Sequence, residues 1–223
     1  MTAPTLEVRV RKAARALGRH RLAHAYGHVS ARIDAGTFLV CAAQPMGLIA
    51  PGTPGTVVRM DSDLPDGVLG EVRIHREIYR RRPEIHGVAR TMPPKIMSLS
   101  TLRLTPQSRH GFGGYFYPAI PLWDHPLLIR DNSASEQLAA RMEDGFAIVM
   151  RGNGLITAGA TVEEAVVRAW YAEDAARVEL DVLSVGSAGD PAFFSEEEAR
   201  IRSVWSGRIL ERMWHYLTAG DPE

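Results

Sequence analysis

Apolar residues recur four and three positions apart at Leu6, Val10, Ala13 and Leu17, behind a threonine, Thr5, that can cap an amino end. That spacing draws one buried stripe along a helix running to about residue 19. The period then shortens to two. Val29, Ala31 and Ile33 alternate with Ser30 and Arg32, and Asp34-Ala35-Gly36 leads into Thr37-Phe38-Leu39-Val40-Cys41, the pattern of a β-hairpin. Residues 44–65 are dense in proline and glycine and read as loop, interrupted by a short strand at 56–60. A helix is expected over about 69–82, with Ile74 and Ile78 toward the core, Glu71 and His75 one turn apart on another face, and Pro83 as its stop. A short apolar strand at 85–89 follows, and Pro93-Pro94 opens another helix through Leu99.

The second half continues with a run of glycines and aromatics at 109–118 that has no regular period and reads as a pocket-forming loop. Strands are expected at 146–150 and 155–158, joined by the tight turn Arg151-Gly152-Asn153-Gly154. Thr161 with Glu164 forms a capping box before a long helix that buries Ala165, Ala169, Ala176, Leu180 and Leu183. Residues 184–194 read as a linker. Ser195 with Glu198 is a second capping box, opening one terminal helix with Ile201, Trp205, Ile209 and Met213 four apart. The expected organisation is one domain over 1–183, the linker, and a helical extension of the same domain over 195–223.

Composition narrows the functional classes. The 26 basic and 26 acidic residues balance, so no net field favours nucleic acid, polyanions or an acidic membrane surface. Arg80, Arg81 and Arg82 fall in the last turn of a helix, where cations complement the dipole. The single cysteine, Cys41, sits in an apolar run and reads as a buried, inert thiol. The first residues carry scattered charges with no apolar stretch after them, and no apolar run approaches the length of a membrane span. A soluble, cytoplasmic protein is expected.

Four landmarks in order carry a resemblance. Gly27-His28-Val29-Ser30-Ala31-Arg32 looks like a G-N/H-[VI]-S-x-R stretch. Glu71, His75, Ile78, Tyr79, Arg82 and Pro83 look like an E-x-x-x-H-x-x-I-Y-x-x-R-P helix. Arg151 to Gly159 looks like a glycine turn that supplies a metal histidine, and 161–165 looks like the helix start after it. Together these resemble the class II aldolase/adducin family. The resemblance implies an α/β fold of three αβα layers around a mostly antiparallel sheet, and a homotetramer with active sites between subunits. The family's three metal histidines, however, are replaced here by Arg90, Met92 and Asn153. A guanidinium cannot ligate, a thioether favours soft metals and an amide oxygen is a weak ligand, so no metal or other cofactor is expected. His28, His110 or His125 could rebuild a site only if loops brought them close. The stretches that bind phosphate in the family's sugar-phosphate aldolases read Ala43 to Gly47 and Val68-Leu69-Gly70, with their hydroxyls largely gone.

These substitutions imply a metal-independent carbon–carbon lyase, a decarboxylase or retro-aldolase, acting on a small carboxylated or aromatic compound without phosphate. In that reading Arg90 binds a carboxylate or a developing enolate, Glu71 moves a proton, Asn153 donates an amide hydrogen bond, and His28 is a second proton-transfer group. Ser30, His110, Tyr115 and Tyr117 are candidate substrate contacts. The competing reading pairs Arg90 with Glu71 in a closed ion pair, leaving a non-catalytic ligand-binding or subunit-assembly module.

Overall fold

The computed structural model describes residues 5–186 and 192–223. Helix α1 (Leu6–Arg19) starts at Thr5, whose side chain accepts from the Val8 amide. Strands β1 (His28–Arg32) and β2 (Thr37–Val40) form the hairpin, and β3 (Thr56–Arg59) pairs with β2. Helix α2 (Val72–Arg81) precedes β4 (Gly87–Thr91), and α3 (Pro94–Thr101) begins on a proline. After the aromatic loop come β5 (Leu122–Trp123), α4 (Asn132–Arg141), β6 (Ala147–Met150) and β7 (Gly154–Gly159). Helices α5 (Val162–Ser184), α6 (Glu196–Arg202) and α7 (Ile209–Thr218) complete the chain.

One sheet in the order β3-β2-β1-β4-β7-β6-β5 runs through the molecule, with β5 and β6 as its parallel pair and every other pairing antiparallel. Alternation along the strands divides the core in two. Val29, Ala89, Val149 and Leu155 pack with α1, α3, α5 and α7, whereas Val88, Ile148 and Ile156 pack with α2 and α4. Two apolar faces on one sheet require helices on both sides, which yields three layers.

Three sequence expectations differ from this architecture. The strand expected at 85–89 lies instead at Gly87–Thr91, because pairing with β1 and β7 continues through Arg90 and Thr91 although both are polar. The single terminal helix is split. Its chain leaves α6 at Ser203, Gly207 and Arg208 take positive φ, and the Trp205 indole N–H donates to Glu164 at 2.8 Å. Five residues of the expected linker, 187–191, lie outside the described residues, while Ser184 still belongs to α5. Beyond the linker, α7 packs on α1 and α5 and buries Leu217.

Arg32 ties the hairpin to the helix that carries the site. Its guanidinium donates to the carbonyls of Tyr79 and Arg82 at 2.7 and 3.1 Å, serving orphan acceptors at the carboxyl end of α2, and to the Ile85 carbonyl just beyond it at 2.8 Å. Its plane also lies 4.8 Å from the Tyr79 ring centre. Helix α2 is thereby fixed at one end against β1, and its amino end is aimed at the carboxyl end of β4.

Candidate active site

Cross-strand register brings the first two site residues together. His28 opens β1 directly opposite Arg90 on β4, and both side chains leave the sheet on the face covered by α2. Gly27, at φ 143°, lets β1 begin against the Arg90 carbonyl, where a Cβ would press on that oxygen and on Met46. Glu71 stands at the amino end of α2, and Asn153 sits in the turn between β6 and β7.

These residues meet. Arg90 Nη2 donates to Asn153 Oδ1 at 2.8 Å and to the Asn153 carbonyl at 3.1 Å, and lies 3.1 Å from Glu71 Oε2. Glu71 Oε1 accepts from Asn153 Nδ2 at 3.0 Å and from the Ile129 amide at 3.4 Å. Burial pulls the Arg90 guanidinium below its ordinary range and the charge of Glu71 opposes that pull, leaving a cation at neutral pH. Each carbonyl and carboxylate of the triangle thus has a donor, but Arg90 Nε and His28 Nε2 are buried without a protein partner.

The triangle does not fill the space around it. A cavity of about 400 Å³ opens beside it, with His28, Glu71, Arg90 and Asn153 among its polar lining, Tyr26, Leu69, Met92 and Leu128 as apolar walls, and Arg130 at the rim. That volume suits one small organic molecule. A hollow of about 440 Å³ lies elsewhere, between the aromatic loop and the last helices, and its only ionisable side chains besides tyrosines are Arg202 and Arg212. Without a carboxylate or histidine it offers no acid–base pair.

The candidate substrate contacts distribute unevenly. Ser30 lies beneath the cavity floor and is fully buried, its hydroxyl engaged by His75 and Tyr79. His110, Tyr115 and Tyr117 do not reach the cavity. His110 Nε2 lies 3.5 Å from Asp174, and Tyr115 packs on Tyr171 and Trp205 while its hydroxyl donates to the Val204 carbonyl at 2.7 Å. Tyr117 lies on the outer surface beside Phe146. The aromatic run is drawn to α5 and to Trp205 by the apolar area buried there, and that packing separates it from the Glu71 end of the chain.

Sequence reading names His75 and Tyr79 only as landmarks of the helix motif and gives neither a role. His75 Nε2 lies 2.8 Å from His28 Nδ1, and its Nδ1 lies 2.7 Å from Ser30 Oγ, which is 2.9 Å from the Tyr79 hydroxyl. The signal was present in the spacing: His28-x-Ser30 has the strand period of two and His75-x-x-x-Tyr79 the helix period of four, so one strand face and one helix face can meet pairwise.

The donor set does not fit the divalent ion that the fold's metal-dependent members hold. Arg90 fills one ligand position with a permanent cation bonded to the other two polar groups, and among the described residues no three His, Cys, Asp or Glu side chains gather as ligands. His110 and His125 stand away from the cavity lining. Cys41 is no substitute, being buried with its thiol pushed up to about 11 by desolvation. No described helix is long and apolar enough to cross a membrane.

Comparison with known proteins agrees with this fold. The profile of the Class II Aldolase and Adducin N-terminal domain matches residues 8–180. A 3,4-dihydroxyphthalate decarboxylase of Arthrobacter keyseri is 27% identical over 183 residues, covering 73% of this chain and 72% of that protein. A further 3,4-dihydroxyphthalate decarboxylase, from Rhodococcus jostii, is 28% identical over 72% of each chain. Among solved structures, an aldolase II superfamily protein of Pseudomonas syringae superimposes with a TM-score of 0.79 at 23% identity, over 96% of this chain and 92% of the other.

Proposed function

Since the chain belongs to the class II aldolase and adducin N-terminal domain family and is a lyase, we propose that it decarboxylates a small hydroxylated aromatic carboxylate at the Glu71–Arg90–Asn153 triangle without a metal ion. The observation that carries this reading is the placement of a buried guanidinium, fixed by Asn153 and Glu71, on the wall of an apolar cavity of about 400 Å³. Carboxylated aromatic substrates are also named for relatives that share under a third of its residues.

Each group has a task that its geometry permits. Arg90, on the cavity wall, supplies fixed positive charge where a carboxylate docks. Glu71 takes the proton of a ring hydroxyl and delivers it to the ring carbon that bears the carboxylate. The bond from that carbon to the carboxylate then breaks, its electron pair returns to the ring and charges the ring oxygen, and neutral CO2 leaves. One proton has moved from oxygen to carbon, and the product phenolate takes a proton from water. Asn153 bonds both Glu71 and Arg90 and so holds their ion pair in place on the cavity wall.

The test is CO2 release from a panel of mono- and dihydroxylated benzoates and phthalates, with the wild type and Glu71→Gln side by side. The expected result is release from at least one hydroxylated member, reduced about a hundredfold or more in the variant. Equal release by both proteins, or none from any member, contradicts the proposal.

A further inference from the structure

The four-residue chain beneath the cavity has a direction, and the direction fixes what the cavity floor offers. Among the described residues the one side chain bonded to the Tyr79 hydroxyl is Ser30 Oγ at 2.9 Å, the Val88 backbone amide can only donate to its oxygen, and Tyr79 is fully buried. Its proton therefore points to Ser30, because the opposite choice strands a buried donor. Ser30 Oγ, having accepted, donates its own proton to His75 Nδ1 at 2.7 Å. His75 then carries its proton on Nε2 and donates to His28 Nδ1 at 2.8 Å. His28 is left with its proton on Nε2, the nitrogen that no protein group meets, on a ring that lines the cavity.

Both imidazoles are neutral in this arrangement. Burial, the neighbouring ring and Arg90 hold His28 well below its ordinary value, and burial with Arg90 lowers His75 to about 3. Arg90 stands directly across the strand pair from His28. Two unpartnered donors, Arg90 Nε and His28 Nε2, thus lie buried within the residues that line the cavity, with no unpartnered acceptor among the buried side-chain atoms there.

We propose that His75, Ser30 and Tyr79 are positioning residues that lock His28 as the Nε2–H tautomer, and that this N–H receives the ring oxygen on which charge develops. The inference rests on the decarboxylation reading above and sharpens the substrate class. The ligand must carry an acceptor oxygen on the ring besides its carboxylate, since a ring without one leaves the His28 N–H unsatisfied in a dry site. A neutral donor suits this task because it stabilises a growing negative charge without first binding a proton from solvent.

The test pairs a tautomer measurement with binding. Nitrogen-resolved NMR of the His28 ring, in the wild type and in Tyr79→Phe, Ser30→Ala and His75→Gln, reads which nitrogen holds the proton; 3,4-dihydroxybenzoate and benzoate are the binding probes. In the wild type the proton resides on Nε2, and the hydroxylated probe shifts that resonance and binds more tightly than benzoate. Tyr79→Phe, which keeps the shape and deletes the first proton of the chain, mixes the tautomers and lowers affinity for the hydroxylated probe by about tenfold, leaving benzoate unchanged. Ser30→Ala behaves alike, and His75→Gln, whose amide can donate to His28 and accept from Ser30, retains most of the preference. An Nδ1–H tautomer in the wild type, or no preference for the hydroxylated probe, overturns the proposal. Absence of CO2 release with tautomer and preference intact overturns the decarboxylation reading alone.

Discussion

At Arg90 a full positive charge, 3% exposed, is countered by one carboxylate and bonded to an amide oxygen, on a residue that lines the cavity. Removing it leaves Glu71 without a countercharge. Arg90→Ala is expected to lower CO2 release by about a hundredfold to a thousandfold and stability by about 3 kcal/mol, the second read by urea unfolding. Arg90→Lys is expected to lose most of the activity as well, since a point charge cannot hold the Asn153 oxygen and Glu71 in one plane and still present a free donor. Wild-type rates in either variant contradict the role given to Arg90. Glu71, Arg90, Asn153 and His28 are legible as a cluster because ordered motif positions name them; β-register sets His28 opposite Arg90, and the start of α2 and the β6–β7 turn bring Glu71 and Asn153 to Arg90. Ser30 was legible as a member of the same motif, but its task was not, because only the partner helix shows that its hydroxyl faces His75 and Tyr79. His110, Tyr115 and Tyr117 have suitable chemistry but stand in an aperiodic loop, and nothing in such a stretch says which way it packs.

The elements show where pattern reading succeeds and where it stops. Helices α1 and α5 announce themselves through capping residues and apolar spacing, and α2 through apolar spacing and the stop at Pro83. Helix α4 was not anticipated: it buries only Ser135, Leu138 and Ala139, so its stripe is too thin to register, although Asp131 caps it. The two-residue β5 is defined only by its neighbour β6. Strand β4 shifted because apolar content marked its start, whereas backbone pairing decides its end and carries Arg90 into the site. The β6–β7 turn is the most exposed to substitution. Gly154 takes φ 107° and a Cβ there would collide with the Thr91 carbonyl, so Gly154→Ala is expected to cost more than about 1 kcal/mol and to displace Asn153. The check is a lower melting temperature together with lost CO2 release; a variant that melts and reacts like the wild type contradicts the account of this turn.

Over the whole molecule, three buried or clasped groups make stability depend on pH with the same sign. His28 and His75 stay neutral in the folded state while the unfolded chain binds protons at its ordinary histidine value, so the unfolded state holds more protons and stability falls as pH drops below that value. Each contributes a slope of about 1.4 kcal/mol per pH unit in its window, which for His75 closes at about 3. Glu223 adds to this at lower pH. Clasped by Arg11 at 2.6 Å and Arg15 at 2.9 Å against α1, it is held down to about 2, and its contribution is present at neutral pH and lost as pH falls from the usual carboxylate range toward that value. Melting temperature measured from neutral to acidic pH is expected to fall steadily, with a shallower fall for His75→Gln; a flat profile contradicts the buried, neutral histidines. The three layers and the mostly antiparallel sheet were legible from the landmark order. The cavity was not, because it exists only where the ends of β1, β4 and β7 meet the start of α2. Its chemistry is tested most directly by measuring CO2 release from hydroxylated aromatic carboxylates with protein dialysed against a strong chelator and verified metal-free by elemental analysis. The account expects the stripped protein to retain its full rate, with added zinc or manganese having no effect. Loss of activity on stripping, restored by adding either ion, contradicts it.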